Sequence, residues 1–83
     1  MRNNQTLDFD GLRDEARAAY EAAAKGQGLN QTRLAADLDV TQSAISQALN
    51  NAGGKYAGLQ RQIISALTDY EIVEAFRVTR KTA

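Results

Sequence analysis

Two short apolar patterns separated by a three-residue break constrain the fold of this chain more than any other feature. Residues 31–38 (QTRLAADL) and 42–50 (QSAISQALN) each place apolar side chains three or four positions apart, which is helical spacing. Asn30 and Thr41 are good N-caps for the two segments, and the intervening residues allow only a tight turn. We therefore expect two short helices that cross at a steep angle, with Ala35 as the small residue that permits the crossing.

Helical patterns also flank this pair. Asp8 or Asp10 can cap a first helix, which the glycines at 26 and 28 end. The loop at 50–54 (NNAGG) is the strongest break in the sequence, and apolar positions after it predict a fourth helix over about 55–67.

The segment after residue 67 fits two structures. Thr68 to Glu71 (TDYE) has the spacing of a capping box, and Ile72 with Phe76 suits a fifth helix. Tyr70, Ile72, Phe76 and Val78 also alternate as in a strand. Because no turn signal or second strand-like segment lies nearby, we favour a helix. A strand paired with the same strand of another subunit stays open.

Composition agrees with a helical domain and limits its chemistry. The 83 residues include no proline, and helix-favouring residues are abundant, so we expect one all-α, five-helix domain over 1–83 with short flexible ends. No cysteine or histidine is present, and no phosphate-binding glycine loop occurs. We therefore expect no catalytic residue, metal, cofactor or small-molecule ligand.

Charge and hydropathy bear on partners and location. Ten basic and ten acidic residues give a formal net charge of zero, which argues against a nonspecific polyanion binder. The N-terminus lacks the apolar core of a signal peptide, and no stretch is apolar enough to span a membrane. A cytoplasmic protein without a membrane partner is the expectation.

Two crossing helices at this spacing describe a helix-turn-helix over about 31–50. The residues themselves resemble the DNA-binding motif of the lambdoid phage Cro and repressor family, also called XRE-type regulators. The resemblance covers about a third of the chain. The matching residues are Gln31, Thr32, Ala35, Asp37, Leu38, Val40, Gln42, Ser43, Ala44, Ile45, Ala48, Gly53 and Lys55.

Two positions depart from the family pattern. The turn usually contains glycine because its backbone is left-handed, whereas this chain has Asp39, a residue type that tolerates this conformation at some cost. After Gly54 the sequence predicts a helix where some members have a strand hairpin, so the all-helical repressor domains are the closer expectation.

The resemblance implies a phage or prokaryotic transcription regulator that places its third helix in the DNA major groove. Its base-contacting residues would be Gln42, Ser43, Ala44, Ser46 and Gln47. Its phosphate contacts would come from Gln31, Arg33, Thr41, Lys55 and Arg61. Amide and hydroxyl side chains suit this role because they bond base edges without the phosphate repulsion that a carboxylate would meet.

The family binds palindromic operators as two-fold dimers, so the resemblance also implies a homodimer. The candidate interface residues, several of which suit a core equally well, are Leu59, Ile63, Ile64, Leu67, Tyr70, Val73 and Phe76. Repression of transcription is the expected activity. The alternative is a helix-turn-helix that binds a protein partner, as an antitoxin or co-regulator does.

Overall fold

The computed structural model describes residues 1–81. Within them the order of elements is α1 (Phe9–Gln27), α2 (Gln31–Leu38), α3 (Gln42–Asn50), α4 (Gly54–Leu67), β1 (Tyr70–Val73), a 3-10 turn (Glu74–Phe76) and β2 (Arg77–Arg80). The protein is mainly helical, and a two-stranded antiparallel sheet completes the described part of the chain. None of its helices there combines the length and hydropathy needed to cross a membrane.

Helix α1 begins and ends where the sequence predicts. The Asp8 carboxylate accepts a hydrogen bond from the Gly11 N–H at 2.6 Å, which caps the first turn. Gly28 ends the helix with φ 70°, a left-handed conformation that glycine adopts without a Cβ penalty. The buried stripe of α1 consists of Leu12, Ala16, Ala19 and Ala23.

Helices α2 and α3 form the predicted crossing pair. Asn30 Oδ1 accepts from the Arg33 N–H at 2.8 Å, and Thr41 Oγ1 accepts from the Ala44 N–H at 3.1 Å, so both predicted caps are present. Ala35 is buried at the crossing, together with Ile45. The remaining core residues of the pair are Leu34, Ala48 and Leu49.

Helix α4 packs against α1 and α3 and closes the core. Ile63 and Ile64 are fully buried within the subunit. They therefore belong to the core, and we remove both from the predicted dimer interface.

Residues 70–80 form a hairpin, so the predicted fifth helix and the all-α class are wrong for this segment. Ile72 lies opposite Val78 in the antiparallel register, and both are buried against the helices. Ala75 and Phe76 turn the chain with φ of 58° and 52°. Neither is a usual left-handed residue, which explains why the sequence contains no recognisable turn signal. Thr68 ends α4 instead of starting a helix, because its hydroxyl donates to Ile64 O at 2.7 Å.

The N-terminal residues lie along β2 and are not a free end. Asn4 N–H donates to Val78 O and Val78 N–H donates to Gln5 O, both at 2.7 Å. Thr6 forms an isolated antiparallel bridge with Arg77. Strand β2 therefore has β1 on one side and residues 4–6 on the other. Local sequence patterns do not predict this second pairing. At the other end of the chain, the predicted flexible segment includes residues 82–83, which lie outside the described residues.

Candidate nucleic-acid interface

Helix α3 has one face in the core and one face in solvent. Ile45, Ala48 and Leu49 are buried and fix the orientation of the helix. Ser43 and Gln47, four residues apart, lie opposite this buried stripe and are exposed. Their side chains make no hydrogen bond within residues 1–81, so their polar atoms are available to a partner.

Asn50 also projects from this side of α3, although the sequence interpretation did not include it. It is exposed, and it lies four residues after Ser46 and seven after Ser43, which is the spacing of one helix face. Its amide Nδ2 donates to Ser46 O at 2.7 Å, which directs the amide along the helix. The same spacing rule applied beyond Gln47 would have identified it. We call the set Ser43, Ser46, Gln47 and Asn50 the α3 polar face.

Gln42 lies at the edge of the α3 polar face, next to α2. The Thr32 hydroxyl donates to Gln42 Oε1 at 3.3 Å, which links the first turns of the two helices. A carbonyl oxygen has two lone pairs, so Oε1 keeps one acceptor site and Nε2 keeps both donors. Thr32 therefore orients the Gln42 amide while leaving one acceptor site and both donors for a partner. Ala44, the fifth predicted base contact, is half-buried.

The turn between α2 and α3 has the predicted left-handed residue. Asp39 has φ 57° and ψ 46°, and Val40 N–H donates to Ala35 O at 3.0 Å. This conformation ends α2 and allows α3 to start three residues later, at Gln42. The prediction that Asp39 adopts a left-handed conformation at this turn is confirmed.

Both helix starts present unpaired backbone donors. The Asn30 and Thr41 caps satisfy the third N–H of each helix, whereas the N–H groups of Gln31, Thr32, Gln42 and Ser43 have no acceptor among the described residues. Such groups, at the positive end of a helix dipole, favour anions. Of the predicted phosphate contacts, Gln31 is half-buried at the start of α2, and Thr41 is exposed with its hydroxyl used as the α3 cap.

The predicted cationic phosphate contacts differ in their surroundings. Arg33 lines a groove with Gln27 and Leu67, and it lies about 100° around α2 from Thr32, the residue that contacts α3. Arg61 donates from Nε and Nη2 to Ile72 O at 3.2 and 2.9 Å, so its guanidinium joins α4 to β1. Lys55 is exposed at the start of α4, with Nζ 5.8 Å from the centre of the Tyr56 ring. Lys55 is therefore the predicted cation best placed to meet a phosphate.

Positively charged side chains in and next to the hairpin also contact other residues of the chain. Arg77 donates to Asn4 Oδ1 at 3.3 Å, and the Arg80 guanidinium lies over the Tyr70 ring at 5.4 Å. Lys81 Nζ donates to Ser65 O and to Thr68 O, and so caps the end of α4. The Lys81 contacts attach the end of β2 to α4, whereas the Arg77 and Arg80 contacts lie between the hairpin and the N-terminal residues and within the hairpin itself.

The other predicted interface residues fall into separate places. Leu67 and Tyr70 line one groove of about 380 Å³ between α1 and the start of β1, together with Met1. Phe76 packs edge-on against Phe9, with ring centres 5.4 Å apart. Leu59 and Val73 are half-buried. Leu59, Leu67, Tyr70, Val73 and Phe76 therefore do not form one surface patch, although each retains some exposed surface.

The α2–α3 region thus combines a helix packed against the core, an uncharged polar face and unpaired backbone donors. Its formal charge is −1, since Arg33 is offset by Asp37 and Asp39. Searches of protein-family models, curated proteins and solved structures find no significant match to this chain.

Proposed function

We propose that the protein is a sequence-specific regulator that binds double-stranded DNA through α3, as its resemblance to the Cro and repressor family implies. The observation that carries the proposal is the α3 polar face. Uncharged hydrogen-bonding side chains project from a helix whose opposite face is fixed in the core. An α-helix fits the DNA major groove, where base edges present distinct donors and acceptors.

The side chains of this face suit base recognition. Gln42, Gln47 and Asn50 carry amides, which can bond adenine N7 and the adenine N6 amino group together. Ser43 and Ser46 can donate to or accept from several base edges. Ala44 offers a methyl group to thymine. A site rich in A·T pairs is the expected target, because the face contains no arginine or lysine to pair with guanine.

Phosphate contacts would come mainly from neutral groups. The free N–H groups at the starts of α2 and α3 would bind phosphate oxygens without neutralising them, so that few counterions would leave the DNA. Lys55 would add one ion pair per subunit. Binding should therefore depend on salt less steeply than binding by strongly basic repressors does.

A homodimer would place two α3 helices about one DNA turn apart on an inverted repeat. The candidates for its interface are those residues predicted from the sequence that keep exposed surface: Leu59, Leu67, Tyr70, Val73 and Phe76, of which an interface could use only the members that share one face. Bound across a promoter, such a dimer would repress transcription by blocking polymerase. Sedimentation of a monomer at tens of micromolar, both free and with its enriched duplex, would contradict the dimer.

Selection from random duplexes tests the DNA proposal. The purified protein is incubated with random-sequence duplexes of about 30 base pairs, long enough for two half-sites one turn apart. We expect enrichment of one inverted repeat. The double variant Gln42→Ala with Gln47→Ala should lose discrimination between that repeat and random DNA while its circular dichroism spectrum stays unchanged. Gln62→Ala, an exposed glutamine on α4, is the matched control.

A second candidate is a helix-turn-helix that binds a protein partner. The formal charge of −1 on the α2–α3 region, with the hairpin cations engaged within the chain, favours it. This candidate predicts that no duplex sequence is enriched. Full discrimination by the double variant would contradict the assignment of base contacts to Gln42 and Gln47.

A further inference from the structure

Gln60 on α4 is fully buried, and it is the one polar side chain in the core of residues 1–81. Its amide Nε2 donates to Ala48 O at 2.7 Å and to Asn51 O at 2.8 Å. A buried amide is unfavourable unless such partners exist. Both partners belong to the C-terminal end of α3 and the residue that follows it.

One of these bonds satisfies a carbonyl at the end of α3. The last four carbonyls of a helix have no partner within the helix. Asn51 N–H donates to Gln47 O at 2.9 Å, and the Gln60 amide supplies the donor for Ala48 O. Gln60 therefore joins the final turn of α3 to α4 across twelve residues of sequence.

The orientation of the Gln60 amide is determined by its surroundings. A flipped amide would place Oε1 against two carbonyl oxygens, which would repel it. In the observed orientation Oε1 is buried and has no hydrogen-bond partner among the described residues. The side chain thus makes two hydrogen bonds at the C-terminal end of α3 and leaves one buried acceptor unpaired. If packing alone mattered at this position, an apolar side chain would be favoured.

We propose that Gln60 is a positioning residue that fixes the C-terminal end of α3, and thereby the direction in which Gln47 and Asn50 point. The N-terminal end of α3 is held separately, by the Asp39 turn and the Thr32–Gln42 hydrogen bond. With both ends attached, the helix presents its polar face at a defined angle. This inference rests on the proposed DNA binding, since a defined angle matters where side chains must match base edges.

The test compares Gln60→Met with Gln62→Met. Methionine has nearly the volume of glutamine but no donor, and Gln62 is an exposed neighbour on the same helix. Affinities for the duplex enriched by the unmodified protein and for random duplex are measured where circular dichroism shows each variant folded. For Gln60→Met we expect the ratio of the two affinities to fall about tenfold, the effect of losing one good base contact. Random-duplex affinity and the Gln62→Met variant should stay unchanged.

An unchanged ratio in folded Gln60→Met would overturn the positioning role, because a merely structural residue would alter only stability. A second measurement covers the case in which this variant does not fold. In the unmodified protein the Gln60 side-chain amide protons should exchange with solvent about a hundredfold more slowly than those of Gln62. Equal exchange rates would overturn the proposal. If the unmodified protein enriches no duplex, the DNA proposal itself fails, while slow Gln60 exchange would still establish the link between α4 and α3.

Discussion

The α3 polar face and the C-terminal hairpin use polar side chains in opposite ways. On α3, Ser43 and Gln47 point into solvent without partners inside the described chain. On the hairpin, Arg77 and Arg80 contact Asn4 and Tyr70, and Arg61 extends from α4 to the carbonyl of Ile72. The polar side chains of α3 are therefore available to a partner, whereas several cationic side chains make contacts within the chain.

This difference changes how net charge should be interpreted. A cation that donates to its own backbone is poorly placed to release counterions from DNA. Conversely, a neutral helix can bind DNA when its amides match base edges and backbone N–H groups meet phosphates. The zero net charge of this chain is thus compatible with DNA binding, provided that little of the affinity is ionic.

The largest predicted effect concerns the core beneath the α3 polar face. Ile45 is fully buried, so Ile45→Ala should lower the free energy of unfolding by about 2–5 kcal/mol, through lost burial and a cavity. Val73→Ala on the half-buried edge of the hairpin should cost about 1 kcal/mol. Urea unfolding followed by circular dichroism measures both. Equal losses would mean that the two regions contribute alike to the core.

The next effect is on the orientation of Gln42. Thr32→Val keeps the shape of the side chain but removes the hydroxyl that donates to Gln42 Oε1. We expect affinity for the enriched duplex to fall about fivefold, roughly 1 kcal/mol for one hydrogen bond. Thr6→Val, at the bridge to β2, is the control and should bind as the unmodified protein does. Equal affinities for the two variants would remove Thr32 from the proposed site.

A smaller effect distinguishes the exposed lysine from the hairpin arginine. Lys55→Gln should lower the slope of log affinity against log salt by about 0.9 per subunit, the value for one phosphate contact. Arg80→Gln should leave the slope unchanged, because Arg80 lies on β2, outside the proposed interface of α2, α3 and the start of α4. Salt titrations of the enriched duplex give both slopes. A total slope near ten would contradict the small number of ionic contacts.

The smallest effect concerns the two left-handed turns. Asp39 and Ala75 both have positive φ, so glycine at either position should raise the free energy of unfolding by about 0.5 to 1 kcal/mol. Ala75→Gly should gain more than Asp39→Gly, because aspartate tolerates this conformation better than alanine. Thermal unfolding of the two variants compares them. Destabilisation by Ala75→Gly would show that contacts of the alanine outweigh its backbone conformation.

Local signals explain why the helical part was predictable. The caps at Asp8, Asn30 and Thr41 act within three residues of sequence, and the spacing of Ile45 and Leu49 defines a helix face. The left-handed Asp39 followed from the family resemblance at the turn. Each of these features depends on neighbours that a short window of sequence contains.

The hairpin and the hydrogen bonds of Gln60 and Arg61 depend on residues that are distant in sequence. Val78 pairs with Gln5 across more than seventy residues, and the hairpin turns at Ala75 and Phe76 without glycine or asparagine. Helical spacing places Gln60 on the buried face of α4 with Ala57 and Ile64, but its two hydrogen-bond partners at the end of α3 are distant in sequence. For the same reason Arg61 looked free in the sequence but bonds to Ile72.

Nuclear magnetic resonance of the labelled protein, titrated with its enriched duplex, compares the two regions most directly. We expect the largest shift changes at the starts of α2 and α3 and in the side-chain amides of Gln42, Gln47 and Asn50. Arg77 to Arg80 should change little. Changes confined to the hairpin, with the three amides unaffected, would contradict the claim that the uncharged face of α3 contacts DNA.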